Sequence, residues 1–333
     1  MMRDDIEEPF ASNWEVMSFY TPLESTLDED FRAFLSEYAA AENGTQSPFS
    51  EETLLAMQPG GRGCFFHVIR GTNETAGSAP RILGVALTAP RPEGGHTLEM
   101  AVLPEYRDQG IGTDLIQGIR YDQRRGADIP LKKLRAWSHG NYPAAARLAE
   151  KNNFVPVREL LQLRSNLTGH LPEPNWPAGV RLRTFLPGQD ESALLAVNSA
   201  AFADHPEQGA LTLADLQARM DEAWFDPDGL LLTVDEDDRI LGFHWTKVHQ
   251  HDDAAPLGEV YVVGISPEAQ GRGLGKALTL AGMQHLRARG LDQATLYVDG
   301  DNPAALGLYR SLGFEPWKVD VMYALGAAAE TER

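Results

Sequence analysis

The sequence predicts a mixed α/β fold with a mixed sheet, repeated in two tandem domains, and three observations support this prediction. A strand-like run at residues 259–267 leads directly into a glycine-rich turn at 270–276 and then into a helical stretch. A weaker copy of the same plan lies about 160 residues earlier, where a strand at 98–103 precedes a second turn at 107–112. A chain of 333 residues is also long enough for two domains that each bury a core.

Matching positions in the two halves indicate an internal repeat. At an offset of 163 residues, Pro104, Gly110 and Gly112 match Pro267, Gly273 and Gly275. At an offset of 160 residues, Gly140, Pro143, Ala144, Ala145, Leu148 and Phe154 match Gly300, Pro303, Ala304, Ala305, Leu308 and Phe314. Because the matches keep one order and need a single three-residue gap, we interpret them as a duplicated unit rather than coincidence.

The first half begins with residues 1–20, which are acidic and unpatterned and are expected to form a poorly ordered lead-in. Residues 24–57 are helical in pattern, with one apolar face formed by Phe31, Phe34, Leu35 and Tyr38. Strand-like runs follow at 65–69, 82–87 and 98–103. These elements predict a first domain over residues 21–168.

A stiff connector then separates the halves, because residues 171–177 contain three prolines and cannot continue a helix. We place the linker at 169–179 and the second domain at 180–326. The second half repeats the plan with strands at 180–185, 229–234, 240–248 and 259–266. Helices are predicted at 191–201, at 213–224 and after Gly275.

Composition excludes several classes of function. A formal net charge of −19 argues against nucleic acid or an anionic membrane as the main partner. Cys64 is the only cysteine, so neither an intramolecular disulfide framework nor a cysteine-rich metal site is expected. The first residues resemble no signal peptide, and no apolar run is long enough to span a membrane. We therefore expect a soluble, cytoplasmic protein. We also predict that it is a monomer and binds no metal.

The turn at 270–276 is suited to an anion such as a pyrophosphate, since it exposes backbone N–H groups at a helix N-terminus. Its spacing fits neither the phosphate loop of nucleotide hydrolases nor a dinucleotide-binding fold. Together with the downstream residues 302–305, Leu308, Tyr309 and 312–314, the pattern resembles the GCN5-related N-acetyltransferase (GNAT) superfamily. The resemblance covers both halves and is more specific for the second.

The resemblance implies that acetyl-coenzyme A (acetyl-CoA) lies where a bulged strand splays from its neighbour, with its pyrophosphate on the loop. In an otherwise β-branched run, Gly264 is what a bulge or a close backbone approach would select. A freed backbone N–H near it would polarise the thioester carbonyl. The implied cofactor-binding residues of the second half are Val263, Gly264, Ile265, Gln270, Gly271, Arg272, Gly273, Leu274, Gly275, Lys276, Asn302, Pro303, Ala304, Ala305, Leu306 and Gly307.

Acetylation of an amine needs two proton transfers, and two residues are candidates for them. Glu259 opens the motif strand and is a natural base, directly or through a water. Tyr309 matches the superfamily position whose hydroxyl lies near the sulfur, where a phenol can act as the acid. The simpler alternatives are a solvated glutamate at a strand end and a core tyrosine.

The first half is predicted to retain the cofactor fold without the chemistry. At the two offsets, Ala149 takes the place of Tyr309 and His96 takes the place of Glu259. The resemblance still implies a second coenzyme A site there, and Asp108 stands where a basic residue is common. Its residues are Met100, Ala101, Val102, Asp108, Gln109, Gly110, Ile111, Gly112 and Thr113.

Residues 201–209, 222–229 and 241–249 also resemble a tandem-domain branch of the superfamily. That branch acetylates a small-molecule amine, the cysteinyl amine of cysteinyl-glucosaminyl-inositol. The resemblance implies substrate contacts by Glu51, Glu207, Lys247, Glu259 and Tyr297. Two rival functions stay open at this point: acetylation of another primary amine, such as a protein N-terminus, and a non-catalytic sensor that binds coenzyme A.

Overall fold

A computed structural model of the chain describes residues 14–42, 47–71, 81–91, 94–203, 206–250 and 255–326. The chain forms two compact units. Unit 1 consists of Met1–Glu159 together with Asp320–Arg333, and unit 2 consists of Leu160–Val319. Each unit contains a mixed sheet with helices, which confirms the predicted fold class.

Unit 1 is built on strands β1 (Trp14–Tyr20), β2 (Phe65–Gly71), β3 (Ile82–Pro90), β4 (His96–Val102) and β5 (Leu134–Ser138). Its helices are α1 (Ser25–Ala41), α2 (Glu51–Met57), α3 (Ile111–Arg124) and α4 (Pro143–Lys151). Strand β6 (Phe154–Asn166) begins in this unit and continues in unit 2. The last strand, β12 (Glu315–Leu325), begins in unit 2, and its final residues pair with β5.

The sheet of unit 1 has the order β1-β2-β3-β4-β5-β12. Neighbouring strands are antiparallel except β4 and β5, which are parallel. The predicted apolar face of the first helix is confirmed, since Phe31, Phe34 and Tyr38 are buried on α1. The Phe31 ring meets the Phe66 ring edge-on with centroids 5.2 Å apart, which fixes α1 on the sheet.

The expectation of an unpatterned lead-in over residues 1–20 is wrong for its last seven residues. Trp14–Tyr20 form β1, which pairs antiparallel with β2 along its whole length. The strand is missed from sequence because it lies at the sheet edge and much of it is exposed, so it lacks a buried alternating pattern. Residues 1–13 lie outside the described part of the chain.

Unit 2 adds strands β7 (Arg181–Thr184), β8 (Leu230–Val234), β9 (Ile240–His249), β10 (Leu257–Ile265) and β11 (Gln293–Asp299). Its helices are α5 (Glu191–Ala201), α6 (Pro206–Gly209), α7 (Leu213–Met220), α8 (Leu274–Ala288) and α9 (Pro303–Ser311). The sheet order is β6-β11-β10-β9-β8-β7, and only the β10–β11 pair is parallel.

The two faces of the unit 2 sheet differ in character. One face packs against α8 and α9 through a cluster that includes Leu163, Val260, Leu280 and Leu296. Because side chains alternate along a strand, the neighbouring residues Glu259 and Thr295 belong to the opposite face. The catalytic candidate Glu259 therefore lies on the face that α8 does not cover.

The structural units divide the chain inside β6 and β12, whereas the predicted domain limits follow the chain order. Residues 169–179 form an irregular connection. The limits 21–168 and 180–326 remain a prediction. Among the helices that the structure describes, none has both the length and the apolar character that crossing a bilayer requires.

Candidate functional site

The backbone of unit 2 opens at the strand that carries Glu259. Strands β10 and β11 pair only at Gly258–Ala294 and Glu259–Thr295. Beyond Glu259, β10 stays paired with β9 as far as Ile265. One edge of β10 therefore carries no β11 partner after Glu259, and backbone N–H and C=O groups there can bind an extended ligand.

A β-bulge accompanies this opening. The register with β9 shifts between Val260 and Val262, so that Tyr261 is the extra residue. Gly264 is not part of the bulge. A Cβ there would lie 2.5 Å from Cε1 of Phe243, so the glycine permits a close approach of that ring. The sequence suggested either a bulge or a close approach to the backbone at Gly264, and the structure supports the close approach.

The glycine-rich turn lies between β10 and the N-terminus of α8. Gly271 and Gly273 have φ values of +73° and +81°, a left-handed region that glycine enters without strain. Arg272 and Lys276 are exposed and keep the turn cationic. The first turn of α8 lies near α9, since a Cβ on Gly275 would lie 3.6 Å from Leu308. Backbone donors and cations thus converge where an anion can bind.

The second predicted cofactor segment, residues 302–307, opens α9. Asn302 is the N-cap residue, and its Oδ1 accepts a hydrogen bond of 3.0 Å from the backbone N–H of Ala305. This cap fixes the start of the helix that carries Tyr309.

Glu259 is almost fully buried, with 7% of its surface exposed. Its Oε2 accepts a hydrogen bond of 2.6 Å from Nε2 of His249, two residues beyond Lys247 on β9. The histidine orients the carboxylate that the sequence proposes as the base. His249 was not identified from sequence, and the only signal for it was its place two residues from Lys247 on a predicted strand.

Lys247 lies directly opposite Glu259 and is 9% exposed. Its ammonium nitrogen lies 4.6 Å from the centre of the Trp224 ring and 5.5 Å from that of Tyr261. The hydroxyl of Tyr261 in turn accepts a hydrogen bond of 3.1 Å from Nε of Arg219. Two aromatic faces therefore stabilise a cation beside the buried carboxylate.

Tyr309 is part of α9, on the other face of the sheet from Glu259. Its ring meets that of Phe314 with centroids 5.9 Å apart, and it packs against the cluster under α8. Burial raises the pKa of the Tyr309 phenol to about 12. Glu259 and Tyr309 lie on opposite faces of the sheet. A ligand that passes through the opening between β10 and β11 could therefore contact both residues.

Unit 1 contains a cavity of about 570 Å³ at its own strand opening, where β4 and β5 stop pairing after Glu99–Trp137. The predicted second cofactor residues that line it are Met100, Ala101, Val102, Asp108, Gly110, Ile111, Gly112 and Thr113. The side-chain amide of Gln109 instead donates to the carbonyl of Glu105 at 2.8 Å. Asp108 has a φ of +60°, at the position of Gly271 in the repeat, and lies 3.3 Å from Arg147.

Unit 1 carries neither a glutamate nor a tyrosine at the positions that correspond to Glu259 and Tyr309. Strand register aligns Glu259 with Thr97, because Thr97 pairs with Arg135 as Glu259 pairs with Thr295. The prediction that His96 takes this place was wrong by one residue. The cause is the bulge at Tyr261, since the β4 register contains no such extra residue. Ala149, at the position of Tyr309, is buried.

A buried charged network that the sequence did not reveal lies in unit 1. His139, which lines the cavity, contacts Asp320 at 3.0 Å through Nδ1 and Glu99 at 3.2 Å through Nε2. Backbone N–H groups of Ser50 and Gly140 donate to the two carboxylates. Burial alone would lower the pKa of His139, but the hydrogen bonds to Asp320 and Glu99 outweigh it and raise the pKa to about 9.

The remaining predicted substrate residues are placed as follows. Tyr297 is on β11, two residues beyond Thr295 and so on the face of Glu259, and is 38% exposed. Glu51 opens α2 and Glu207 is in α6, but their side chains lie outside the described part of the chain. Among the residues that the structure describes, no group of three or more His, Cys, Asp or Glu side chains could hold a metal ion.

Comparison with protein families identifies both units. The model described as "Acetyltransferase (GNAT) family" matches residues 196–314, and "Acetyltransferase (GNAT) domain" matches residues 64–156. Among solved structures, a GCN5-related N-acetyltransferase from Sphaerobacter thermophilus has a TM-score of 0.66 at 23% identity, over 92% of this chain and 94% of its own. A tandem GNAT protein from the clavulanic acid biosynthesis pathway has a TM-score of 0.65 at 20% identity, over 92% and 98%. These structures show the fold.

Curated relatives are much closer in sequence. Mycothiol acetyltransferase from Pseudarthrobacter chlorophenolicus is 48% identical over 318 residues, which are 93% of this chain and 96% of the relative. The protein of the same name from Paenarthrobacter aurescens is 46% identical over the same shares. The one from Thermobispora bispora is 48% identical over 90% of this chain and 97% of its own.

Proposed function

Since the chain belongs to the mycothiol acetyltransferase family, we propose that it transfers an acetyl group from acetyl-CoA to the cysteinyl amine of cysteinyl-glucosaminyl-inositol. The chain is an acetyl-CoA-dependent N-acetyltransferase with a small-molecule substrate. The observation that carries the specific substrate is the identity of 46–48% with relatives of that name over about nine-tenths of the chain. The product is the acetylated thiol mycothiol.

We assign the reaction to unit 2. Acetyl-CoA supplies an activated acetyl group as a thioester. Residues 263–265 border the strand opening and offer backbone groups to the pantetheine arm, while residues 270–276 offer backbone N–H groups and two cations to the pyrophosphate. The extended polar pantetheine arm thus matches the backbone groups of the strand, and the pyrophosphate matches the N–H groups and cations of the turn.

Glu259 acts as the base. A free α-amine titrates at a pKa of about 8, so much of it is an ammonium near neutral pH and must lose a proton before it attacks. His249 engages Oε2 of Glu259, so Oε1 is the atom that we propose takes this proton, directly or through a water. Lys247 is the cross-strand partner of Glu259 on β9.

Tyr309 acts as the acid. Its raised pKa keeps the phenol protonated at neutral pH, so the hydroxyl carries a proton to donate as the carbon–sulfur bond breaks. The nitrogen loses two protons in all. Glu259 takes the first from the ammonium before attack, and Tyr309 donates its own proton to the departing thiolate. The second nitrogen proton, lost as the amide forms, passes through water to the Tyr309 phenolate, and Glu259 releases its proton to bulk water, so one proton is released per turnover.

We further propose that unit 1 binds a second coenzyme A and does not catalyse acetyl transfer. Its cavity lies at the corresponding strand opening, but Thr97 and Ala149 replace the base and the acid. That the enzyme works as a cytoplasmic monomer, with no nucleic acid or membrane as partner, remains a prediction from the sequence.

Acetyl transfer with purified protein tests the proposal. Cysteinyl-glucosaminyl-inositol is expected to be acetylated with a kcat/KM at least about tenfold above that for cysteine amide or a peptide N-terminus, since these lack the sugar contacts. Comparable rates on a peptide would favour the rival that acetylates another amine. Binding of coenzyme A with no transfer to any of these amines would favour the sensor.

A further inference from the structure

Four neighbouring strands of unit 2 each contribute one polar residue to a single row of paired residues across the sheet. Lys247 on β9 is paired with Glu259 on β10, and Glu259 is paired with Thr295 on β11. Thr295 is paired in turn with Arg164 on β6. Because paired residues on adjacent strands point to the same face, the row Lys247–Glu259–Thr295–Arg164 crosses the face that carries the base.

Arg164 ends this row in an unusual environment. Its guanidinium lies 4.2 Å from the centre of the Trp317 ring, which stacks on it. Its Nε is buried and has no hydrogen-bond partner among the residues that the structure describes. A buried donor without a partner costs free energy, and a ligand that accepts a hydrogen bond from the guanidinium would recover part of that cost.

Two other partly buried arginines, Arg183 and Arg107, are matched by carboxylates. Arg183 forms a bidentate pair with Asp190 at 2.6 and 2.9 Å, and Arg107 pairs with Glu42 at 2.5 Å. In the described part of the chain, Arg164 has no carboxylate within ion-pair distance. Trp317 is 54% exposed, so the stacked pair remains open to solvent at its outer side.

We propose that Arg164, held in place by Trp317, binds neighbouring hydroxyls of the polyol ring at the far end of the acceptor. This inference rests on the proposed function. Strands lie about 4.8 Å apart, so Arg164 is about 10 Å from Glu259 along the row. An acceptor whose amine reaches Glu259 therefore places its more distant ring near Arg164 when it lies along the row.

The chemistry of the guanidinium suits this ligand. Its planar fork donates two parallel hydrogen bonds, and adjacent hydroxyl oxygens on a ring can accept both. Arg164 is thus a specificity-determining residue that recognises the polyol and takes no part in proton transfer.

Kinetics with two acceptors test the proposal. Wild type, Arg164→Ala and Arg164→Lys are compared on cysteinyl-glucosaminyl-inositol and on cysteinyl-glucosamine, which lacks the polyol. Arg164→Ala is expected to lower kcat/KM for the full acceptor about 10- to 100-fold, mainly through KM, with little change for the shorter one. Arg164→Lys retains the charge without the fork and should give an intermediate loss on the full acceptor alone.

Arg287→Ala is the matched control, because this exposed arginine is on α8, which packs against the other face of the sheet. Equal losses on both acceptors, or no loss on the full acceptor, would overturn the inference. If Arg164→Ala unfolds, Arg164→Lys decides by the same comparison. A wild-type enzyme inactive on the full acceptor would refute the proposed function instead, before any variant is compared.

Discussion

At the scale of single residues, Glu259 gives the sharpest prediction. Glu259→Gln removes the base but keeps the shape, and we expect kcat/KM to fall about 10²- to 10⁴-fold near neutral pH. The loss should be largest at low pH and smaller above the amine pKa of about 8, where the acceptor is already deprotonated. A pH profile of kcat/KM for wild type and variant measures this, and a constant ratio across pH would contradict the assignment.

His249, which orients the Glu259 carboxylate, gives a related prediction. His249→Gln can still donate a hydrogen bond to Glu259 and should retain much of the activity, whereas His249→Phe should lose more of it. In the Glu259→Gln background, His249→Gln and His249→Phe should have similar activities, because the carboxylate that His249 orients is gone. A double-mutant cycle in kcat separates this coupling from a general effect on folding.

Tyr309→Phe tests the acid. We expect kcat to fall by about two orders of magnitude with little change in the KM for acetyl-CoA, because only the proton is removed. With the Tyr309 pKa raised to about 12, the wild-type rate should show no alkaline loss from this group below about pH 10. Tyr121→Phe, on α3 of unit 1, is the control for loss of a tyrosine hydroxyl. Unchanged turnover in Tyr309→Phe would remove the role.

At the scale of elements, the packing of α8 against β9 depends on Gly282. A Cβ there would lie 1.9 Å from Cε1 of His244, whose buried Nδ1 contacts the carbonyl of Leu278 at 2.9 Å. Gly282→Ala should therefore destabilise unit 2 by about 1–3 kcal/mol or more. Gly307→Ala on α9, where a Cβ meets nothing within 4 Å, should be neutral or stabilising by about 0.5–1 kcal/mol. Denaturant unfolding of both variants compares them.

The elements were largely predictable from sequence because strands and helices have local periodicities. The predicted helix after Gly275 is α8, and the predicted strand at 240–248 is β9. The bulge at Tyr261 was not predictable, since only the pairing with β9 defines an extra residue. For the same reason the sequence matched Glu259 with His96 rather than Thr97. The partner of Arg164 on β11 likewise depends on register, which local sequence does not encode.

At the scale of the whole molecule, the chain returns to unit 1 at its end. Asp320 begins the returning segment, and Val321–Ala324 pair with β5. The contact of Asp320 with His139 therefore ties the last strand to the unit formed by the first half. No sequence pattern indicates this, because Glu99, His139 and Asp320 come from three distant segments.

This network predicts a pH-dependent stability of unit 1. The pKa of His139 is raised from 6.5 to about 9 in the folded chain, so its contribution is fully present below pH 6.5 and is lost as pH rises through 9. The contribution at low pH is up to about 3 kcal/mol. His139→Gln should remove this slope between pH 6.5 and 9, whereas His170→Gln, an exposed histidine of the connector, should preserve it. Hydrogen exchange of the β5 amides against pH reports on unit 1 alone, and a slope shared by wild type and His139→Gln would show that the network does not stabilise the returning strand.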